Sequence, residues 1–556
     1  MRSLSIKIRL HPARLSVVWH EHSGISGSLT KEQYVKCPCL PSIWLLPLLL
    51  LSGCTVGPDY VPPPVETTTK WLDAEDQRLK ITPTDAQEWW KSFKDPILDQ
   101  LIDHAYHENL NIRVAGARVL EARAQLGVAI GDLYPQSQQI IGSLSKVHLS
   151  QRASQAAFSQ IFDYAQSQLG LTASWEIDFW GKFRRAIESA DASLQAAIAD
   201  YDNALVSLTA DVARAYITIR TLEKRLSIAQ QNVETQKASL NIAEIRYRGG
   251  TTSERDVEQA RTVLANTQAT IPTLKINLRQ QQNALSVLLG MPPSEINALL
   301  AGTAQIPAPP AQVAVGIPAD LLRRRPDVRR AELQAVAQSA NIGVAKADLY
   351  PAFSLTGTFG LLSTDVGTFS LGDMFLWKSR TANFGPTLQW NIFNYGQITS
   401  QVRMQDARLE ELLASYQNAV LAAQREVEDN LVAFLRSQER ALSLGDGAAA
   451  AQHSLDLAVL QYRQGITDFT TVLTAQQALL SVQDNLASTL GDISNNLVGV
   501  YRALGGGWQI REGRDVVPDS VKMRMAKRTD WGSLLTPAAQ PSPDARPRAD
   551  VRRPLW

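Results

Sequence analysis

The sequence predicts a mainly α-helical chain with a small β part, in which a β-hairpin followed by a long helical hairpin occurs twice in tandem. One observation is the stretch from Lys182 to Arg248, which contains no proline and has Gly181 and Gly249 at its ends. Its apolar residues are Leu194, Ile198, Tyr201, Leu205, Leu208, Val212, Ala215, Ile219, Leu222, Leu226, Ala229 and Val233. They alternate four and three apart without a slip, as in helices that pack along one seam. At about 1.5 Å per residue the helix would be roughly 100 Å long.

The same frame then returns. Trp175 falls on Trp390, Gly181 on Gly396, Tyr247-Arg248 on Tyr462-Arg463 and Leu289-Gly290 on Leu504-Gly505, and Gly465 ends the second copy. Upstream, Asp132-Leu133-Tyr134-Pro135 matches Asp348-Leu349-Tyr350-Pro351. A repeat of this length changes the domain count that 556 residues would otherwise suggest. Before each long helix the apolar period drops to two. Leu169, Leu171, Ala173, Trp175 and Ile177 alternate with small or polar residues, as do Phe353 to Leu361 and Phe384 to Ile392, with Gln138 to Lys146 a weaker match. Strands of this length with one apolar face fit the wall of a membrane β-barrel, and two hairpins of a soluble sandwich are the alternative. Four strands cannot enclose a lumen, and open sheet edges are not tolerated in hydrocarbon. A membrane-spanning sheet of this kind therefore requires oligomerisation, and a trimer supplies twelve strands.

The order of elements follows. Residues 1–53 are expected to be a lipoprotein signal peptide: Lys31 and Lys36 precede an apolar run from Leu40 to Leu51, followed by Leu51-Ser52-Gly53-Cys54. Small residues before a cysteine resemble a lipobox, which would make Cys54 the acylated N-terminus. The unit at 54–84 then reads as an extended tether, with Gly57 to Pro64 rich in proline. The first repeat is expected at 85–290, with a first helix from Glu88 to Asn109 and a second capped by Asn111. Its strands lie near 136–147 and 166–178, and its long helices near 182–248 and 253–289, where Pro272 predicts a kink. A Pro- and Ala-rich connector covers 291–318. The second repeat occupies 319–508, with a helix capped by Asp327, strands near 351–362 and 383–393, and helices near 397–463 and 468–504. Residues 509–556, rich in charge and proline with no apolar period, are expected to be a disordered tail.

Several motifs together resemble the TolC/OprM-like outer membrane factor family, in its NodT-type lipoprotein branch. They are the lipobox with Val56-Gly57-Pro58-Asp59-Tyr60, both Leu-Tyr-Pro motifs, and Trp175-Glu176-Ile177-Asp178-Phe179-Trp180-Gly181. Asp320 to Arg329, Tyr462-Arg463-Gln464-Gly465 and Tyr501 to Trp508 complete the set. The resemblance implies a homotrimer with a 12-stranded β-barrel in the cell outer membrane above a 12-helix periplasmic α-barrel. It implies a passive exit duct for drugs, other toxic small molecules or metal ions. The partners it implies are a periplasmic adaptor, an inner-membrane pump of RND type and outer membrane lipid, reached through acylated Cys54.

Chemistry is otherwise sparse. The 55 basic and 54 acidic residues balance, which gives no nucleic-acid footprint. His104 and His107 at helical spacing lack further ligands for a metal, and there is no phosphate-binding loop. Neither enzyme activity nor a cofactor is expected. Arg323, Arg324 and Arg325 form either an anion patch or ion pairs with carboxylates such as Asp320 and Asp327. Attention falls on the hairpin tips: Tyr247, Arg248 and Gly249 at the first, Tyr462, Arg463 and Gly465 at the second, as closing or adaptor contacts. In the family, aspartates after the second tip ring the pore. Here those positions are Thr471 and Thr474, leaving Asp468 and Asp256 as candidates, with Asp468 equally able to act as a helix cap. A structural coiled-coil lipoprotein spanning the envelope is the alternative to a duct, and it leaves the four strands unexplained.

Overall fold

The computed structural model describes residues 8–11, 14–17, 55–65, 67, 68, 70–80, 87–150, 152, 163–293, 296–302, 305–310, 312–315 and 324–535. The chain divides into residues 1–52 and 53–556. In the first unit, β1 (Ile8–His11) pairs antiparallel with β2 (Arg14–Val17). The expected lipobox and Cys54 lie outside the described residues, as do Asp320 and Arg323.

The second unit carries both repeats. Following β3 (Leu79–Lys80), repeat one contains α1 (Pro96–Glu108), α2 (Leu110–Gly131), β4 (Ser137–His148), β5 (Asp163–Ile177), α3 (Lys182–Arg248) and α4 (Glu254–Leu288). The short α5 (Ile296–Leu299) and β6 (Val313–Ala314) lie in the connector. Repeat two contains α6 (Pro326–Ala347), β7 (Ala352–Thr364), β8 (Arg380–Gln389), α7 (Gln397–Gln464) and α8 (Phe469–Ala503), and α9 (Asp519–Arg528) follows. Both long helices start at glycines in the left-handed region, Gly181 (φ 79°) and Gly396 (φ 81°). That conformation costs glycine no Cβ strain, which is why each strand-to-helix corner carries one.

The four long strands form one antiparallel sheet in the order β4-β5-β7-β8. Its register places Ile140, Leu171, Phe359 and Ala382 side by side on one face. The neighbouring positions Gln139, Thr172, Thr358 and Asn383 share the other. The sequence alternation thus becomes an apolar face and a polar face running through all four strands. Among the described residues, both outer strands, β4 and β8, have an unpaired edge.

Below the sheet the helices make an arc of four staves. α3 and α7 run the full length, whereas α2 meets α4 end to end and α6 meets α8 in the same way. The duplication shows at these two junctions. Asn109, N-cap of α2, donates from Nδ2 to the Leu288 carbonyl (2.8 Å) in the last turn of α4. Arg325, N-cap of α6, donates from Nη1 to the Ala503 carbonyl in the last turn of α8. Each upper helix is thereby bonded to the open C-terminal carbonyls of the helix below it. Arg325 also pairs with Asp327 and Glu426, each at 2.8 Å, so ion pairing, not an anion patch, accounts for this arginine.

All α3 seam residues named above are buried except Ile198 and Leu226, which are half-buried. A belt surrounds the junctions. There Trp89 stacks on Tyr501 (5.4 Å between centroids), Tyr216 bonds Asp95 (2.8 Å), and β3 pairs in parallel with β6.

Several expectations are corrected. The first helix is broken: Trp89–Phe93 is a 3-10 turn that ends at Lys94 (φ 53°), and Asp95 then caps α1 through the Ile97 and Leu98 amides. The cap of α2 is Asn109, not Asn111. For α6 the cap is Arg325, with Pro326 at the first helical position, where its missing N–H costs nothing. Pro272 does not interrupt the helical run of α4, and it lies on an exposed face where water reaches the freed carbonyl, a position compatible with the expected kink.

The tail expectation also fails for residues 509–535. Trp508–Arg511 is a 3-10 turn, Val516 and Val517 are buried, and α9 packs on the belt through Val521 and Met525. The anchor is a buried ion pair in which Arg511 donates to both carboxylate oxygens of Asp202 on α3. The N-terminal tether docks as well: Val56 donates to the Trp180 carbonyl (3.0 Å), and Asp59 pairs with Arg185 (2.6 Å).

Asp202→Ala leaves Arg511 charged and buried without this partner, a loss of about 3 kcal/mol. The expected outcome is a lower apparent melting temperature together with new protease cleavage between residues 508 and 535. At the α6 junction, burial raises the Asp327 carboxyl, but adjacent Arg325 outweighs it and holds the pKa below its ordinary value. A depressed folded pKa contributes stability above the unfolded value, and that contribution is lost as pH falls through the folded one. Asp327→Asn should therefore lower apparent stability by about 1 kcal/mol at neutral pH. Its gap to wild type should close on acidification below about pH 4, as read by thermal denaturation across pH.

Candidate functional site at the helical tip

Two glycine turns close the hairpins at the end remote from the sheet. After α3, Gly249 has an ordinary φ of −78° and Gly250 takes the left-handed one (φ 72°). After α7, Gly465 does so (φ 77°). Gly250 and Gly465 are equivalent positions of the two repeats, so both turns reverse at the same place, and Gln464 stands where the first repeat has Gly249.

Between the turns lies an apolar knot of Ala243, Val257, Ala260, Leu455, Tyr462, Phe469 and Val472, which joins both hairpins. Tyr462 is buried, with its ring 5.0 Å from Phe469. Arg246 of the first hairpin lays its guanidinium over that ring, 4.5 Å from the centroid, and donates from Nη1 to the Tyr462 carbonyl. Tyr247, Arg248 and Arg463 are by contrast exposed, with Arg248 3.6 Å from Glu244.

The acidic candidates separate. Asp256 is buried and accepts from Thr252 Oγ1 and Ser253 Oγ, closing the first turn of α4 on itself. Asp468 is exposed and caps α8 by accepting from the Thr471 amide (3.2 Å) and from Thr471 Oγ1 (3.1 Å). Thr471 and Thr474 are exposed, and Thr474 bonds back to the Thr470 carbonyl (2.9 Å). Of the two aspartates, only Asp468 is exposed, beside the Thr471 hydroxyl, while Glu254 adds an exposed carboxylate at the first turn of α4.

Above the knot, the contact between α3 and α8 is polar. Arg225 makes two bonds to Asp484 (2.8 and 2.9 Å), Asn232 donates to Gln483 (3.0 Å), and Gln476 donates to Ser239 (2.7 Å). Between these rungs Gln236 is buried with neither amide atom hydrogen-bonded. Sequence reasoning missed Arg246 and this ladder. Part of their signal was present: Asn232, Gln236, Ser239, Ala243 and Arg246 are themselves spaced four and three apart, on a row one residue off the Ala229–Val233 seam at its start, and all but Ala243 are polar.

No cluster of three or more metal-ligating side chains occurs among the described residues. His107 lies 3.7 Å from Asp103, and Glu108 pairs with Arg113. No helix among them is long and apolar enough to cross a membrane, a statement that leaves the β-sheet aside.

A duplicated strand pair on a duplicated helical hairpin, with its polar chemistry gathered at a tip, defines a class of envelope channel. Residues 101–291 and 317–506 match the outer membrane efflux protein family, and the chain belongs to it. Nodulation protein T of Rhizobium leguminosarum bv. viciae is 31% identical over 83% of this chain and 92% of its own. The pyoverdine export outer membrane protein OpmQ of Pseudomonas putida is 32% identical over 84% and 97%. The outer-membrane channel OprN superposes with a TM-score of 0.76 at 34% identity, covering 82% of this chain and 100% of that one.

Arg246→Ala removes a cation–π contact and a charged hydrogen bond, together about 2 kcal/mol. The expected outcome is faster amide hydrogen exchange confined to residues near 462–469, with exchange in the belt unchanged.

Proposed function

We propose that the protein is a trimeric, passive exit duct of the outer membrane, the channel component of a tripartite efflux system. The observation that carries this reading is the open four-stranded sheet standing on an open arc of four staves. Each sheet edge would leave a row of unpaired amides and carbonyls in hydrocarbon, at several kcal/mol per group. Three copies close twelve strands and twelve staves at once. The outer staves carry exposed apolar side chains suited to that closure: Ile276 and Val287 on α4, and Leu421, Leu442, Leu457 and Leu460 on α7.

Cys54 is proposed as the acylated anchor, one residue before the docked tether. The exposed tip residues Tyr247, Arg248 and Arg463, with Gly249 and Gly465 shaping the turns, are proposed as contacts for a periplasmic adaptor. An inner-membrane pump, of RND type, supplies the energy. The relatives include pyoverdine, solvent and toluene exporters, and toxic small molecules or metal ions are the proposed cargo here.

Asp468 is proposed as the acidic constriction, three carboxylates in the assembled mouth. Thr471 and Thr474 add neutral hydroxyls, and the buried Asp256 shapes the adjoining turn. Asp468→Asn tests the charge, because asparagine caps a helix as well as aspartate does. In planar bilayers the variant should lose much of its cation selectivity and its block by multivalent cations. Unchanged selectivity removes Asp468 from the constriction, and wild-type protein that forms no channel favours a purely structural lipoprotein.

A further inference from the structure

The sheet contains only two cations, Lys146 and Arg380, and both stand on its apolar face. Lys146 is the register partner of Ala165, in line with Ser167, Leu169 and Leu171. Arg380 is the partner of Leu361, in line with Phe359 and Leu355. Both lie at the end of the sheet remote from the helices. At the near end, Trp175 and Trp390 bond the Leu133 and Leu349 carbonyls at the corners above the helices (3.2 and 3.0 Å).

The loop between β7 and β8 folds back over this same face. Ser167 and Ser363, both on the apolar side, are buried because their hydroxyls bond the Leu371 and Ser370 carbonyls (3.2 and 2.8 Å). The loop is a formed structure, with a capping box between Ser370 and Asp373, and Ser379 bonded to the Asp373 carbonyl (2.7 Å). It nevertheless leaves Phe369, Phe375, Leu376 and Trp377 more than half exposed. The Arg380 guanidinium lies over the Trp377 ring, 4.7 Å from its centroid.

Apolar and aromatic side chains held out from a folded loop, beside cations on the lipid-facing side of a sheet, match an interfacial position. The spacing agrees. Ten residues separate Arg380 from Trp390, about 34 Å along a strand. At a tilt of about 40° that is a height of roughly 26 Å, close to the apolar band of a membrane barrel. The nearby carboxylates are engaged locally: Asp163 with His148 (2.7 Å), Asp365 with the Ala165 amide (2.5 Å), and Asp373 with the Ser370 amide (2.7 Å). Among the described residues neither Lys146 nor Arg380 is paired with a carboxylate, and Arg380 spends one donor on the Trp377 carbonyl (3.0 Å).

We propose that the β7–β8 loop is a lipid-binding flap, and that Arg380 and Lys146 hold the phosphate of an outer-leaflet lipid headgroup whose acyl chains lie against Phe375, Leu376 and Trp377. This rests on the sheet being a membrane wall. In the closed barrel β8 of one copy adjoins β4 of the next, with both remote ends together. Arg380 then stands at the same seam as the neighbouring copy's Lys146, and each of the three seams carries one headgroup site.

The test uses the full-length protein in detergent, with lipid A or phosphatidylcholine added, and native mass spectrometry reading the bound lipid. Wild type should retain lipid A preferentially, and Lys146→Ala/Arg380→Ala should cut that preference roughly thirtyfold, about 1 kcal/mol for each of the two lost cations near an anionic surface. Added inorganic phosphate should not displace the lipid, and displacement would assign the site to free anion and overturn the proposal. In vesicles of brominated lipid, wild type should show a quenched component that Trp377→Phe lacks, and equal quenching of the two also overturns it. Planar-bilayer conductance separates the two readings. A double variant that conducts like wild type and binds lipid A as wild type does defeats the flap alone, whereas wild type without conductance defeats the duct.

Discussion

Two hydrogen bonds set the geometry on which the rest of the molecule depends: Asn109 to the Leu288 carbonyl and Arg325 to the Ala503 carbonyl. Each joins the start of an upper helix to the end of a lower one. Two stacked short helices thereby become one stave beside a 67- or 68-residue helix. If either junction slipped by a turn, the sheet above and the glycine turns below would lose their common level. The two copies solve the same problem with different chemistry. In the first a neutral amide both caps and bridges. In the second a guanidinium bridges while pairing with Asp327 and Glu426, which ties α6 to α7 as well.

The junctions also explain where the molecule is stiff and where it is not. The belt packs directly on them, with Trp89 on Tyr501 and the Asp202–Arg511 pair closing the outer side. Beneath it, α3 meets α8 through polar rungs whose bonds depend on direction, and Gln236 sits among them with its amide unsatisfied. A buried amide without partners is a cost that only the surrounding contacts sustain. The apolar knot at Tyr462 and Phe469, with Arg246 over the ring, therefore matters more to the closed tip than its size suggests.

Much of this fold was legible in the sequence because its signals were local and repeated. Four-three spacing, the glycines at 181, 396 and 465 and the period-two strands placed the long elements, and the duplication checked one copy against the other. Caps were less legible. Asn109 and Asn111 are equally good cap residues, and what selects Asn109 is a carbonyl 179 positions away. Arg325 is a poor cap by type, chosen for what it reaches in α8. Residues 509–535 carry few apolar side chains and no period, and they order only against a surface that other segments build. At the tip, Asp468 is itself the N-cap of α8, whereas Asp256 lies three residues past the Ser253 cap of α4, and which of these places is buried is set by tertiary contacts that composition does not carry. The apolar face of the sheet was readable, but the loop that folds over Ser167 and Ser363 was not, because its contacts are made by backbone carbonyls.

The docked tether has one more consequence, for how the N-terminal segment can vary. Gly57 (φ 107°) lies against the Gly343 backbone so closely that a Cβ on it would stand 2.5 Å from the Gly343 Cα, and Thr55 fills the space beside Gly181. This is backbone laid on backbone, a clamp that reads the absence of side chains, not their chemistry. Two glycines facing one another therefore tolerate no side chain at this crossing. A substitution at either would act at the other, so the pair constitutes a single heritable unit split between the N-terminal tether and α6 of the second repeat.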